Sequence, residues 1–284
     1  MTMQGNVKTR DAIATLILER LRAEQSQLID QYQSSKPIST FIIDNLLPED
    51  LAHDIFSAFP DPNTLVLRSS LKERKYVGVQ MNAYHPLVAE ALYAFQDLRV
   101  VSAIQSITNI PTLLPDKHLY AGGISMMGQG HYLLPHLDNS HDMNRQNYRV
   151  LNLLYYVSKD WKEEYGGNLE LWPNGPKQPQ RTIFSRFNRL AVMVTHKQSW
   201  HSVSEVKYPG VRCCVSNYYF SPLPVDGQRD FHVTTFRAFP GHPLQDAVLI
   251  GDNAIRTGIR KIVKKQSTFQ KYEDTPNLDH ETHA

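Results

Sequence analysis

Two histidines, one aspartate and one arginine in the second half of the chain have the types and spacing to do chemistry. His136-Leu137-Asp138 puts an imidazole and a carboxylate two residues apart, and alternate residues of a strand share a face. His201, far downstream, supplies a second imidazole. Two imidazoles and a carboxylate form the ligand set that holds non-haem Fe(II) while leaving coordination positions open. Beyond that histidine, Arg212 is the cation that a dicarboxylate co-substrate needs as an anchor, because a guanidinium pairs bidentately with a carboxylate. Alone, a His-x-Asp pair is more often a surface pair. The second histidine and the arginine give it weight.

Several elements must position these groups. Tyr132 and Leu134 share strand parity with His136 and Asp138. Pro135 cannot donate a ladder hydrogen bond, so this strand lies at an edge or opens there. Tyr208-Pro209-Gly210-Val211 has the Pro and Gly of a type II turn. If that turn closes a hairpin, residue 201 pairs with 218 and 207 with 212. His201, Arg212, Cys214, Ser216 and Tyr218 then share one face, with His201 and Arg212 roughly 20 Å apart along the ladder. The loop 139–149 offers Asn139, His141, Arg145 and Arg149 as candidates for binding substrate. His141 also reads as a solvated loop residue, as does His196. The charged run Arg68 to Lys75 is either a solvated face or a rim that greets an anionic substrate.

Apolar spacing at Ile13, Leu16, Ile17, Leu21 and Leu28 predicts one helix over 11–33, ended by Pro37. A strand follows over 39–46. Helices are expected to start at Pro48 and Pro86, with another stretch through Ile104 and Ile107. From Leu119 the texture changes to short strands at 119–126, 131–138, 149–157, 168–172, 189–195, 201–207 and 211–220. Gly and Pro turn signals separate them, as in a sandwich or jelly roll. A helix is expected near 253–266, with Ile255, Ile259, Ile262 and Val263 on one face and basic residues off it. The ends, 1–10 and 270–284, read as frayed or disordered.

Composition sets the bounds. The chain has 284 residues, 41% of them hydrophobic, and a formal charge of +2. That balance gives no bias toward nucleic acid or membrane. No apolar run approaches the about 20 residues of a membrane span. The two cysteines, Cys213 and Cys214, are adjacent; strand neighbours point to opposite faces, so a disulfide between them is not expected. A reducing, cytoplasmic setting is the default.

The block 119–221 resembles the Fe(II)/2-oxoglutarate-dependent dioxygenases, in particular the prolyl 4-hydroxylase-like branch that includes the hypoxia-sensing prolyl hydroxylases. The motifs that carry the likeness are His136-Leu137-Asp138-Asn139, the run Tyr155 to Trp161, Gly166-Gly167-Asn168-Leu169-Glu170-Leu171, Asn188-Arg189-Leu190, and His201-Ser202-Val203 running to Arg212. An earlier segment, Phe41 to Pro48, also reads like the family. The resemblance implies an α+β fold with a double-stranded β-helix (jelly-roll) core. It divides the chain into an N-terminal support region, 1–118, the core, 119–221, and a C-terminal extension, 222–284. It implies that Arg212 binds the distal carboxylate of 2-oxoglutarate and that Tyr156 adds a hydroxyl to it. The tyrosine that related prolyl hydroxylases place before the first ligand is Met126 here. The implied cofactors are Fe(II), 2-oxoglutarate as co-substrate and O₂, with ascorbate an optional accessory.

The expected activity is hydroxylation of an aliphatic C–H of an amino-acid or peptidyl, proline-like substrate, with release of succinate and CO₂. The alternative enzyme tailors a small-molecule natural product. A catalytically silent jelly-roll binding module is disfavoured by the intact ligand set with Arg212. A nucleic-acid demethylase would rest only on the basic helix near 256–265.

Overall fold

Thr9 opens the first helix of the computed structural model, which describes residues 8–262. Its side chain accepts the Ala12 N–H, and α1 (Arg10–Ala23) buries Ile13, Ile17 and Leu21. The single helix expected over 11–33 is two: the chain turns at Glu24 and resumes as α2 (Gln25–Ser34). The break lets α2 run beside β1 (Thr40–Asp44), where Gln31 Oε1 accepts the Ile42 N–H at 2.9 Å. An exposed strand edge is thereby covered. Pro48 caps α3 (Glu49–Ser57) instead of forming its first residue.

The charged stretch after it is a β-hairpin, β2 (Val66–Ser69) and β3 (Glu73–Gly78). Pro86 starts α4 (Pro86–Ala94) as expected; α5 (Leu98–Thr108) follows, capped by Asp97. The strands from there are β4 (Leu114–Pro115), β5 (Gly123–Met127), β6 (Tyr132–Leu137), β7 (Tyr148–Tyr156), β8 (Leu169–Leu171), β9 (Arg181–Ile183), β10 (Arg189–Val194), β11 (His201–Val203), β12 (Arg212–Ser221) and β13 (Thr235–Phe236). The last helix, α6 (Pro243–Ile262), begins ten residues before the expected start. It buries Leu249 and Asn253, while Ile255 is 65% exposed and does not point inward. Residues 263–266 of that expected helix, the tail 270–284 and residues 1–7 lie outside the described residues.

The strands run antiparallel in the order β1-β10-β7-β12-β5-β3-β6-β11-β8-β9, with β2 on β3, β4 on β12 and β13 on β6. Strand β3 is the join. Its Tyr76–Gly78 end pairs with β5, and Glu73 and Arg74 pair with β6. The sheet therefore curls until its two halves face each other, as a double-stranded β-helix (jelly roll). Side chains of β12 alternate: Tyr219 and Val215 enter the core under the helices, where Asn217 Nδ2 donates to Leu92 O at 3.2 Å and Tyr219 to Phe95 O. Cys214, Ser216 and Tyr218 face the hollow between the two halves. Residues before 119 contribute four strands to this sheet, and one apolar cluster runs from Ile13 to Tyr219.

Strands β11 and β12 do not pair. β11 lies between β6 and β8, and β12 between β5 and β7. Gly210 does not take the positive φ that a type II turn demands at that place. The Pro209-Gly210 segment is a crossover from one half of the sheet to the other, and the hairpin expectation is corrected accordingly. The shared face survives for another reason: His201, Arg212, Cys214, Ser216 and Tyr218 reach the same hollow from opposite sides. Among the described residues no helix is long and apolar enough to cross a membrane.

Candidate active site

His201 stands directly opposite His136 across the β11–β6 ladder. One step on, the register slips, because Val203 pairs with Leu133 and leaves an extra residue on β6. This bulge sits at Leu134-Pro135, where proline could not have donated to the ladder. It breaks the parity expected for this strand: Leu133, not Leu134 or Tyr132, lines the hollow with His136. Asp138 follows the end of β6.

The three side chains converge. His136 Nε2 lies 3.8 Å from Asp138 Oδ1, and His201 Nε2 lies 3.6 Å from Asp138 Oδ2. The imidazole centroids are 4.1 Å apart. One ligand atom from each residue can fall within 4.8 Å of the others. Each Nδ1 sits 2.9 Å from a backbone carbonyl, Leu134 O for His136 and Ser199 O for His201. A carbonyl only accepts, so Nδ1 carries the proton and Nε2 keeps its lone pair for a metal. Phe236, from β13, stacks on His136 with centroids 5.3 Å apart.

Charge is arranged to match. Burial, the largest cause, pushes His136 down to about 3, so it is neutral at ordinary pH. Burial alone would raise the Asp138 pKa, but Arg149, His201 and His136 outweigh it and hold the carboxyl at about 2. Arg149 Nη1 is 3.2 Å from Asp138 Oδ1, and its guanidinium lies over the Tyr218 ring at 4.4 Å. Asp138 Oδ2 is buried with no hydrogen-bond partner. An anionic lone pair without a donor, beside two free imidazole nitrogens, fits a divalent cation.

Arg212 is the second half of the site. It is 4% exposed, its Nη2 donates to Met127 Sδ at 2.9 Å, and its Nε has no partner among the described residues. A buried guanidinium without a carboxylate is costly, so the geometry fits an anionic ligand. Tyr156 offers the face of its ring, 5.3 Å from Arg212 Cζ, and its hydroxyl bonds Ser185. Gly167 makes room for the arginine. A Cβ there would stand 3.0 Å from Arg212 Cδ, at a φ of +68°.

These groups line one cavity of about 660 Å³, within the usual range for small-molecule sites. His136, His201, Arg212, Tyr156, Asn139, Arg145 and Arg149 reach it; His141 does not. That histidine bonds Ser140 Oγ at 2.7 Å and bridges to Tyr148, folding the loop back on itself. Met126 points into the core, and its neighbour Met127 faces Arg212. Sequence reasoning missed Met127, Asn152, Phe231 and Phe236. The first two reach the site through the pairing of β5 and β7 with β12, which the sequence does not show; the last two lie beyond the periodic core and carried no signal.

A curled antiparallel sheet holding two imidazoles and a carboxylate beside a buried, unpaired arginine defines a non-haem iron oxygenase. Residues 122–220 match the family model of the 2OG-Fe(II) oxygenase superfamily. The matched block is similar to that of the Fe(II)/2-oxoglutarate-dependent dioxygenases, and His136, Asp138 and His201 within it can hold a metal ion. Solved structures share the fold. A prolyl hydroxylase from Trichoplax adhaerens, in complex with a hypoxia inducible factor oxygen degradation domain peptide fragment, is 16% identical, with a TM-score of 0.52 over 72% of this chain and 92% of that one. A Pseudomonas putida prolyl-4-hydroxylase is 15% identical, with a TM-score of 0.53 over 69% and 98%. A Phytophthora capsici prolyl 4-hydroxylase is 14% identical, with a TM-score of 0.54 over 92% and 80%. At these identities the likeness is one of fold. No curated protein sequence matches the chain.

Proposed function

We propose that this chain hydroxylates an aliphatic C–H of an amino-acid or peptidyl, proline-like substrate, with release of succinate and CO₂. The observation that carries the reading is a His-Asp-His set, two of whose members line the cavity, together with a buried arginine lining the same cavity that has no carboxylate partner among the described residues. His136, Asp138 and His201 hold Fe(II). Arg212 takes the distal carboxylate of 2-oxoglutarate, with the Tyr156 ring against the guanidinium. Bound together, Fe(II) and 2-oxoglutarate supply the oxidation of a C–H bond by O₂. The chain orients them, keeps Asp138 ionised through Arg149, and shields the site from water between the two halves of the sheet. Asn139, Arg145 and Arg149 form the substrate side; His141 braces their loop. Two buried free cysteines fit a reducing, cytoplasmic setting.

The proline-like choice rests on the motif resemblance and the shared fold. A second reading, oxidation of a small-molecule natural product, is favoured by the charged wall of the cavity, which includes Arg68, Lys75 and Arg256. A succinate-release assay over free amino acids, proline-containing peptides and small metabolites separates them. Stimulation by amino acids or peptides supports the leading reading; stimulation by metabolites alone overturns it.

A further inference from the structure

The cavity carries more positive charge than its own carboxylates answer. Lys75 pairs with Glu73 at 2.9 Å, Arg256 with Asp252 at 2.8 Å and Arg149 with Asp138 at 3.2 Å. Arg212 is committed to the co-substrate. Arg145 is different. Its guanidinium has no hydrogen bond or ion pair among the described residues and lies over the Phe231 ring, with Cζ 3.9 Å from the centroid. The nearby carboxylate, Asp142, is already spent. Its oxygens accept the Gln146 N–H at 2.9 Å and the Asn147 amide at 2.8 Å.

The loop holds Arg145 in place. Asp142 N donates to Asn147 O at 2.9 Å, and Arg145 N donates to Asp142 O at 3.2 Å. Arg145 itself has a φ of +59°, a left-handed backbone that a long side chain rarely adopts. Such strain persists where the surrounding contacts over-determine it, and it gathers at ligand clamps. A stapled loop, a strained backbone and an aromatic platform together fix a planar, unpaired cation in the wall of the substrate cavity.

We propose that Arg145 recognises an anionic group, carboxylate or phosphate, on the substrate. This rests on the cavity being the substrate site of the proposed oxygenase. The guanidinium fork matches either group bidentately, and Phe231 leaves its outer edge free to do so. The substrate class is therefore an aliphatic compound that carries a negative charge away from the oxidised carbon. A free amino-acid carboxylate satisfies it, whereas a neutral peptide interior does not.

The test uses the full chain loaded with Mn(II) and saturating 2-oxoglutarate, so that Arg212 is covered. Glutarate, glycerol 3-phosphate and neutral glutaramide are titrated calorimetrically. At least one anion binds and glutaramide does not. Glutarate or glycerol 3-phosphate as the tighter probe names carboxylate or phosphate. Arg145→Gln weakens that binding by about tenfold or more, while Arg186→Gln, an exposed arginine beside Asp44, binds as wild type. If Arg145→Gln does not fold, Phe231→Leu, which removes the platform, weakens the same probe. Binding of neither anion, equal binding of glutaramide, or unchanged affinity in the folded arginine variant overturns the proposal. Failure of the oxygenase reading shows separately, as wild type that takes up neither Mn(II) nor 2-oxoglutarate. The anion titration, repeated without them, then still decides Arg145.

Discussion

His136 and His201 face each other across adjacent antiparallel strands, with imidazole centroids 4.1 Å apart. The ladder therefore sets the distance between the two nitrogen ligands, and the bulge beside Pro135 sets their direction. Replacing either histidine by alanine removes one of three protein ligands. His136→Ala or His201→Ala is expected to abolish turnover and to weaken Fe(II) binding sharply. Their circular dichroism should remain that of wild type, because the strands are held by backbone pairing on both sides. Anaerobic Fe(II) titration checks this; wild-type metal affinity in either variant would remove the assignment.

Arg212 and Gly167 act as one unit, since a methyl group at Gly167 would press on Arg212 Cδ and on Val206 Cγ2. Arg212→Ala should raise the 2-oxoglutarate KM far more than it alters Fe(II) affinity. Gly167→Ala should do the same more weakly and also lower stability by about 1 kcal/mol or more, because alanine is strained at that positive φ. Measured 2-oxoglutarate saturation curves and melting points in the two variants test both. A Gly167→Ala chain with wild-type saturation would show that the arginine tolerates displacement.

Asp44 ties β1 to β10 through a bidentate pair with Arg189, at 2.6 Å to Nε and 2.8 Å to Nη2. The Arg189 hydrogen bonds hold its carboxyl below the ordinary 3.8, against the burial that opposes ionisation. A lowered folded-state pKa means the pair stabilises fully above that ordinary value. Its contribution fades as pH falls through the lower folded-state one. With Asp44 partly exposed, the pair is worth about 1 kcal/mol after screening. Asp44→Asn should therefore destabilise the chain at pH 7, and the difference from wild type should vanish in strong acid. Urea denaturation across that range checks the sign; a gap that widens in acid would refute it.

The metal ligands were legible because chemistry restricts residue type: few arrangements other than a metal site need His-x-Asp, a distant His and a following Arg. Strand alternation also showed which β12 residues share a face with Arg212. The pairing of those strands was not legible. A Pro-Gly segment between two strands reads as a hairpin, yet here it carries the chain between sheet halves, and only long-range packing decides that. The Leu134-Pro135 bulge was hidden because periodicity assumes unbroken parity. β4, β9 and β13 are two or three residues long, too short for any periodic signal. With β13 went Phe236, the ring that packs on His136.

Arg149 decides whether Asp138 is available to a metal at neutral pH. The carboxylate is buried, and burial favours its protonated form; Arg149, at 3.2 Å, is the largest influence that reverses this. Arg149→Gln keeps an amide near Asp138 but removes the charge, so the folded-state pKa of Asp138 rises from about 2. A metal needs the deprotonated carboxylate, and protons then compete at higher pH than before. The same substitution removes a cation that repels the incoming dication, so at alkaline pH the loss should be small. Mn(II) affinity measured from acid to mildly alkaline pH should thus fall earlier on acidification in Arg149→Gln than in wild type, with the two curves converging at the alkaline end. A uniform offset between parallel curves would mean that Arg149 only orients the carboxylate. Coincident curves would mean that it acts on neither charge nor orientation.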